Sequence, residues 1–261
     1  MAASNEQQQA IRLDQVSKSY PGRMALYATS FEINVGEAVA IVGPSGSGKT
    51  TLLHLMGGVI QPDSGDIFLN DHRLSEMKPG RELSSLVGVI HQQYDLVPHL
   101  SVMHNVLAGR LGQWGILQSL MSLVSPKNQT LAVGALEQVG LADRIRERTS
   151  RLSGGEQQRV AIARVLVQDP EVIIADEPVA SLDPARATDL IDLLAKIARE
   201  SNKTFVASIH STDLAHQYFN RVIGLRNGEK QFDLPVAFLS PELLGGLYEL
   251  EGLGRESVVQ E

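Results

Sequence analysis

One eight-residue segment constrains the fold of this chain more than any other feature of its sequence. It matches the pattern G-x-x-x-x-G-K-[ST] at each fixed position and reads Gly43-Pro44-Ser45-Gly46-Ser47-Gly48-Lys49-Thr50. The apolar run 38–42 precedes it, and the helix-like run 51–56 follows it. This order of strand, glycine-rich loop and helix is the context that the P-loop motif requires. It predicts an α/β fold with a site for nucleotide phosphates.

The residue types of the loop indicate how it would hold those phosphates. Glycines let successive backbone N–H groups turn inward and form a nest at the positive end of the following helix. Lys49 would reach the β- and γ-phosphates of the nucleotide, and the Thr50 hydroxyl would bind Mg²⁺. Thr51, the next residue, is included in the expected nucleotide-binding set. A Gly/Ser-rich surface turn is the alternative, and the flanking strand and helix runs disfavour it.

Composition and charge exclude several classes of protein. A chain of 261 residues with 43% hydrophobic residues can bury a substantial core. It contains no cysteine, which excludes disulfides and thiolate metal sites. Its net charge of -7 argues against a surface for nucleic acid. No run is long enough to span a membrane and the start lacks the blocks of a signal peptide, so we expect a cytosolic chain with a mobile tail over residues 1–10.

Periodicity predicts the elements around the P-loop. Short alternating stretches indicate two or three antiparallel strands before residue 38, the first of which ends at Tyr20. Tyr20 is either a strand-end anchor or a flat face for a purine. Gln92 follows the strand expected over 86–90, where its amide either satisfies loop backbone or reaches a metal ion or its water. Helical periods from 101 to about 168 predict an α-helical insertion.

Two segments of the insertion carry further signals. Apolar residues recur at spacings of three and four before Pro126, on a face that packs in the core or meets a partner; they are Trp114, Leu117, Leu120, Met121 and Val124. Ser153 and Glu156 form a capping box, S-x-x-E. Gly154 and Gly155 between them leave helix N–H groups closely approachable, so the segment is either a plain cap or a second anion site.

Polar residues also follow two later buried strands. Asp176 and Glu177 end the apolar run 171–175, and ligands of open α/β sheets gather at the carboxyl ends of strands. Without other motifs, two acids in this position would indicate only a solvated strand end. With a P-loop upstream, Asp176 is expected to hold Mg²⁺ through water and Glu177 to polarise the attacking water. His210 ends the strand 203–209 and is either structural or a γ-phosphate contact. A final hairpin is expected around Asn227-Gly228.

The order of these motifs resembles that of the nucleotide-binding subunits of ABC transporters over about residues 11–240. The matching positions, in order, are Tyr20, the P-loop 43–50, Gln92 of the Q-loop, the LSGGE signature 152–156, Asp176 and Glu177 of the Walker B motif, the D-loop Ala180-Ser181-Leu182-Asp183, and the switch residue His210. The resemblance implies a P-loop NTPase (RecA-like) core with an N-terminal antiparallel β subdomain. It also implies an inserted, mostly helical subdomain over 92–168 and a short C-terminal extension over 241–261.

The resemblance also implies roles for these residues. Two copies would sandwich two ATP molecules, with the signature of each copy, Ser153, Gly154, Gly155 and Glu156, facing the P-loop of the other. Tyr20 would stack on adenine. Thr50, Gln92 and Asp176 would form the Mg²⁺ set, and Lys49, Glu177 and His210 the catalytic set. Glu156 replaces the usual Gln, and we expect it to cap its helix without abolishing activity.

Within that family, the chain is similar to phosphonate-import ATPases in segments 106–112, 175–183 and 224–228 and in the insertion through Pro126. The similarity implies a membrane permease and, indirectly, a solute-binding protein as partners, with the chain peripheral at the cytoplasmic face of the plasma membrane and no nucleic-acid partner. Phosphite or another phosphorus oxyanion fits as well as a phosphonate. The alternatives are an export or lipoprotein-release ATPase, a soluble ABC protein acting on ribosomes or DNA, and a P-loop kinase, which the signature and D-loop disfavour.

Overall fold

The computed structural model describes residues 8–78, 80–114, 128–180 and 182–248. Most of the expected tail, the apolar face at 117–124, Ser181 and the end of the C-terminal extension lie outside these residues. The strands are β1 (Gln9–Tyr20), β2 (Arg23–Asn34), β3 (Ala38–Val42), β4 (Ser64–Leu69), β5 (His72–Arg73), β6 (Val87–Ile90), β7 (Val172–Ala175), β8 (Thr204–Ser208), β9 (Arg221–Arg226) and β10 (Glu229–Pro235). The helices are α1 (Lys49–Met56), α2 (Arg81–Leu86), α3 (Val102–Leu107), α4 (Gln129–Gln138), α5 (Gly154–Gln168), α6 (Pro184–Glu200), α7 (Thr212–Tyr218) and α8 (Pro241–Tyr248).

Two sheets organise the fold. The N-terminal sheet is antiparallel and has the order β2-β1-β4-β5. The central sheet has the order β10-β9-β3-β8-β7-β6, and its five strands from β9 to β6 run parallel. This arrangement confirms the expected α/β fold with an antiparallel β subdomain. The expected tail is too long by two residues, because Gln9 already pairs with Asn34.

The alternation of β3 shows how the layers are stacked. Val39 and Ile41 point into a core shared with α1 and the antiparallel sheet. Ala40 and Val42 point into a second core, which is shared with helices α3 to α8. Successive side chains of a strand face opposite sides of the sheet, so a strand buried on both faces must be apolar throughout, as β3 is.

The insertion between β6 and β7 is helical in its described part. It contains helices α3, α4 and α5. In its described residues the β pairing is an isolated bridge between Ser101 and Arg148. Helix α5 begins at its capping box and packs its buried residues, among them Val160 and Ala163, into the second core. Within the described residues, no helix combines the length and apolar character of a membrane span.

The topology fixes where functional side chains meet. Strands β3, β8, β7 and β6 are consecutive neighbours and run parallel, so their carboxyl ends lie along one edge of the sheet. The residues that follow these ends are the P-loop, His210, the pair Asp176 and Glu177, and Gln92. Ligand sites of such sheets lie at this edge.

Candidate nucleotide-binding site

The P-loop follows β3 and reaches α1 through a backbone path that glycine alone fits. Gly43 and Gly48 have φ angles of 153° and 105°. A Cβ atom at Gly43 would lie 2.1 Å from the carbonyl oxygen of Leu225, and one at Gly48 would lie 2.5 Å from that of Ala25. Both distances are shorter than van der Waals contact with backbone, so neither position accepts a side chain without moving another strand. The loop is therefore held against β9 and β2.

Lys49 is the first residue of α1, and its side chain is buried at the end of the loop. Its Nζ donates hydrogen bonds to the carbonyl oxygens of Gly43, at 2.9 Å, and Pro44, at 3.2 Å. Burial lowers the pKa of Lys49, while the negative charges of Glu177 and Asp176 oppose that shift. The ammonium group thus lies inside the loop. The acids nearby are Asp176 and Glu177, which follow β7, and β8 lies between β7 and β3 in the sheet.

Asp176 is 3% exposed and is fixed by a residue of the neighbouring strand. The Ser208 hydroxyl donates to Asp176 Oδ1 at 2.8 Å and accepts from the Glu177 N–H group at 2.7 Å. One hydroxyl thus holds both the carboxylate and the next peptide unit. The sequence prediction missed Ser208, although a serine before His210 in an otherwise apolar strand was a visible signal.

Glu177 brings three strand ends together. Its Oε1 lies 2.9 Å from Nε2 of His210 and 3.9 Å from Nζ of Lys49, and its Oε2 lies 3.5 Å from Nε2 of Gln92. Its φ angle is +46°, an uncommon backbone conformation for a residue with a side chain. Such conformations cost free energy and persist where the surrounding structure requires them. The expected set of Lys49, Gln92, Glu177 and His210 therefore meets at one place.

The expected Mg²⁺ ligands offer hard oxygen atoms. Thr50 follows Lys49 in the first turn of α1 and is exposed, and Thr51 beside it is half-buried. The Ser47 hydroxyl is buried without a hydrogen-bond partner among the described residues. No group of three or more His, Cys, Asp or Glu side chains in the described ranges could hold a metal ion. An ion here would need the hydroxyl, amide and carboxylate groups of the expected set together with phosphate and water, which is how Mg²⁺ usually binds.

Tyr20 ends β1 beside the P-loop, and its ring is 46% exposed. Arg23, its partner across the hairpin, donates from Nη2 to the Gly46 carbonyl oxygen at 3.2 Å. The sequence prediction did not include Arg23, since nothing in the local pattern indicates this contact. It also missed Tyr248 of α8, whose pKa is raised by burial, a shift that the backbone of Gly43 in the P-loop partly opposes.

The signature segment lies at the start of α5, with an exposed turn. Ser153 caps the helix, and the Glu156 carboxylate accepts from the Ser153 N–H and hydroxyl groups at 2.8 and 2.9 Å. These bonds hold the pKa of Glu156 below its ordinary value, and the bond from the Ser153 N–H group has the largest effect. The positive charge of Arg144 makes a smaller contribution in the same direction. Among the described residues, a Cβ atom added at Gly154 or Gly155 would have no atom within 4 Å apart from its chain neighbours and the backbone of its own helix. Among the described residues, no hydrogen bond joins this turn to the P-loop of its own chain.

The D-loop is described in part. Asp183 caps α6 by accepting a hydrogen bond from the Arg186 N–H group at 3.1 Å, and Pro184 occupies the first helical turn. Ser181 lies outside the described residues. A cavity of about 600 Å³ separates this segment from His210 and α7.

Comparisons with known proteins agree with this arrangement. A family model described as ABC transporter matches residues 26–180. The chain is 43% identical to the phosphonates import ATP-binding protein PhnC 1 of Nostoc sp., covering 92% of each chain. It is 38% identical to the phosphonates import ATP-binding protein PhnC of Lactococcus lactis subsp. cremoris, covering 93% of this chain and all of the relative.

Solved structures give the same result. A dimeric, post-hydrolysis state of the ATP-binding cassette MJ0796 bound to ADP and Pi has a TM-score of 0.76 and 30% identity, and the match covers 87% of this chain and 98% of the other. The fold and the site thus define a P-loop ATPase of the cassette type. The chain belongs to the ABC transporter family. As a member of that family, it is an ATP-binding protein and an ATPase.

Proposed function

We propose that this chain is the ATP-hydrolysing subunit of an importer that takes up a phosphonate or a related phosphorus oxyanion such as phosphite. The observation that carries the proposal is the similarity, at 43% and 38% identity over more than nine-tenths of the chain, to proteins named phosphonates import ATP-binding proteins. The partners are a membrane permease and, indirectly, a solute-binding protein. The chain itself is peripheral, at the cytoplasmic face of the membrane.

In the proposed mechanism, the catalytic groups are those that meet around Glu177. Glu177 is the general base that orients and deprotonates water for in-line attack on the γ-phosphorus. His210, 2.9 Å from Glu177 Oε1, holds the γ-phosphate, and Lys49 neutralises charge on the β- and γ-phosphates. The bonds from Lys49 Nζ to the Gly43 and Pro44 carbonyl oxygens keep its ammonium group inside the loop that would surround those phosphates.

The Mg²⁺ site is part of the same proposal. Thr50, Gln92 and Asp176 would hold the ion directly or through water, and the ion would supply positive charge next to the β- and γ-phosphates. The buried carboxylate of Asp176, held by Ser208, supports this assignment. Tyr20 would stack on adenine, and its exposure at the end of β1 is compatible with that contact.

A second copy completes each site. The turn at Ser153 is exposed and makes no hydrogen bond to its own P-loop among the described residues, and its glycines face open space. A partner's γ-phosphate can therefore reach the N–H groups at the start of α5, where the helix dipole favours an anion. The proposed dimer binds two ATP molecules, with Ser153, Gly154 and Gly155 acting across the interface.

Reconstitution tests the proposed transport. The chain is assembled in proteoliposomes with its permease, and ATP hydrolysis is measured with solute-binding protein loaded with methylphosphonate, phosphite or inorganic phosphate. We expect the methylphosphonate- or phosphite-loaded protein to raise the hydrolysis rate and the unloaded protein to raise it less. Stimulation by none of these, together with stimulation by a lipoprotein or by RNA, would replace this proposal with the export or soluble alternative.

A further inference from the structure

Arg23 is a cation placed beside the P-loop that no role in the proposed mechanism uses. It is the first residue of β2 and lies opposite Tyr20 at the end of the β1–β2 hairpin. Its Nη2 donates to the carbonyl oxygen of Gly46 at 3.2 Å. The hairpin thus reaches the middle of the loop that would surround the phosphates.

The position of Arg23 is built by contacts on several sides. The N–H group of Tyr27, further along β2, donates to the Gly228 carbonyl at 2.8 Å, and the Gly228 N–H group donates to the Ser47 carbonyl at 3.0 Å. Gly48 lies so close to β2 that a Cβ atom would come within 2.5 Å of the Ala25 oxygen. Strand β2 is therefore held against the P-loop at Ala25 and Tyr27, and the exposed side chain of Arg23 at its start is held by its hydrogen bond to Gly46.

The guanidinium group of Arg23 has unused binding capacity. It lies within ion-pair distance of no carboxylate in the described part of the chain, and Gly46 is its hydrogen-bond acceptor there. An arginine side chain has five N–H donors in a planar fork that matches phosphate oxygen atoms. A cation without a counter-charge at the rim of an anion site attracts the anion more strongly than one already paired.

The neighbours of Arg23 define which part of the nucleotide it faces. Tyr20, on one side, is the proposed adenine contact, and Lys49, at the end of the loop, is the proposed contact of the β- and γ-phosphates. Arg23 pairs with Tyr20 across the hairpin and donates to the loop at Gly46, three residues before Lys49, so it touches both the adenine side and the phosphate loop of the proposed site. The stretch of ATP that joins adenine to the β-phosphate is the ribose and the α-phosphate, and of these only the α-phosphate is charged.

We propose that Arg23 is a further nucleotide-binding residue, whose guanidinium group binds the α-phosphate of ATP while it holds the Gly46 carbonyl. The assignment rests on the proposed ATP site. It predicts a contribution to binding that ATP and ADP share, because both carry an α-phosphate, and little effect on the hydrolysis step.

Three variants of the full chain test this inference: Arg23→Gln, Arg23→Lys and the control Arg199→Gln. Arg199 is an exposed cation at the last turn of α6, at the far end of that helix from the D-loop. Dissociation constants for MgATP and for ADP are measured by titration calorimetry, with thermal unfolding as the check that each variant folds. We expect Arg23→Gln to weaken both nucleotides about ten-fold, as loss of one charge-assisted contact does. Arg23→Lys should recover most of this loss, and Arg199→Gln should match the parent.

Each other outcome is decisive. Glutamine can still donate to the Gly46 carbonyl, as lysine can, but it carries no charge. Equal dissociation constants for Arg23→Gln and Arg23→Lys would therefore limit Arg23 to holding the loop and overturn the proposal. A loss for MgATP without a loss for ADP would place the contact at the γ-phosphate and overturn the α-phosphate assignment. Parental affinity in Arg23→Gln would overturn it while leaving the ATP site intact. A parent chain that binds neither nucleotide would overturn the proposed function and this inference together.

Discussion

Glu177 is the side chain on which the proposed chemistry depends most. Its carboxylate oxygens lie near His210, Lys49 and Gln92, and a carboxylate in this position can accept a proton from the attacking water. Its own peptide N–H is bonded to Ser208, so the carboxylate is held at its base as well as at its tip. Two tests separate these roles.

Glu177→Gln should bind ATP with nearly parental affinity and hydrolyse it at least about 100-fold more slowly, because the amide keeps the size of the side chain but cannot take up a proton. Hydrolysis is measured under single-turnover conditions, so that slow product release does not hide the chemical step. With ATP, the variant should accumulate as a dimer in light scattering. Hydrolysis at the parental rate would show that Glu177 is not the base.

Ser208→Ala should separate positioning from binding. Removing the hydroxyl leaves the buried Asp176 carboxylate and the Glu177 N–H group without that partner, at a cost of about 1 to 3 kcal/mol in the free energy of unfolding. We expect hydrolysis about ten-fold slower, with ATP affinity measured without Mg²⁺ unchanged, since groups that orient a metal ligand act through the metal. Ser85→Ala, which removes an exposed hydroxyl bonded within α2, is the control. Equal effects of the two variants would contradict this role.

The residues at strand ends could be predicted from the sequence, whereas their supporting contacts could not. Lys49, Asp176, Glu177 and His210 follow apolar runs whose ends must share a sheet edge, and a local pattern therefore indicates them. Ser208 acts on residues more than 30 positions away, and Arg23 on a loop 23 positions away. Such contacts depend on strand order and on the distance between strands, which periodicity does not encode.

Among the helices, α5 combines a structural cap and a proposed anion site in one turn. Its first residues need Ser153 and Glu156 for the capping box, and the proposed partner phosphate approaches the same N–H groups. The capping box followed from sequence spacing alone because it is local. The carboxylate at its third position is negatively charged at neutral pH, since the Ser153 N–H, more than any other group, keeps the pKa of Glu156 low.

Glu156→Gln should therefore tighten the ATP-dependent dimer by about three- to ten-fold, because it removes a negative charge close to the incoming γ-phosphate. The dissociation constant of the dimer is measured by analytical ultracentrifugation in the Glu177→Gln background, where ATP persists. Glu147→Gln is the control, since Glu147 binds the same Arg144 guanidinium group at 2.7 Å without belonging to the cap. If both changes tighten the dimer equally, the charge of the cap is not responsible.

An ion-pair network at the β9–β10 edge of the central sheet also bonds to β2 of the N-terminal sheet. Arg221 of β9 donates to Asp233 of β10 at 2.5 and 2.8 Å and to the Glu32 carbonyl of β2 at 2.8 Å. Lys230 adds bonds to Asp233 and to the Ser30 carbonyl of β2. Burial is the largest single influence and favours the neutral form of Asp233, but the hydrogen bonds and positive charges of Arg221 and Lys230 together outweigh it and keep the pKa of Asp233 below its ordinary value.

This shift makes the stability of the chain depend on pH. Because the folded pKa of Asp233 is depressed, its contribution is complete above the unfolded value of about 4 and is lost as pH falls through the lower folded value. Asp233→Asn should destabilise the chain by about 1 to 3 kcal/mol at pH 7 and by less at pH 3. Urea unfolding at both pH values measures the difference. Asp189→Asn, which removes an exposed carboxylate of α6, is the control. A pH-independent Asp233→Asn effect, or equal effects of the two changes, would contradict the linkage.

The class of fold could be predicted from the sequence, but the assembly of its sheets could not. The P-loop, the buried run 171–175 and the helical insertion were enough for an α/β core with a β subdomain. The order β10-β9-β3-β8-β7-β6 and the network at Arg221 depend on pairings between residues as far apart as 189 positions. Even the start of β1 was placed too late, because the polar residue Gln9 gives no strand signal by itself and is held by pairing with Asn34.

Two pairs of glycines in this chain should behave differently in a saturation-mutagenesis library. At Gly43 and Gly48 an added methyl group collides with the chain's own backbone, so alanine there should reduce the yield of soluble protein. At Gly154 and Gly155 the same methyl group meets empty space, so alanine should leave yield and melting temperature intact. Any transport or ATPase activity lost in an alanine variant of the second pair would then indicate steric crowding by a neighbouring molecule. Enrichment scores from selection for activity would in this way map a contact surface without a structure of the assembly.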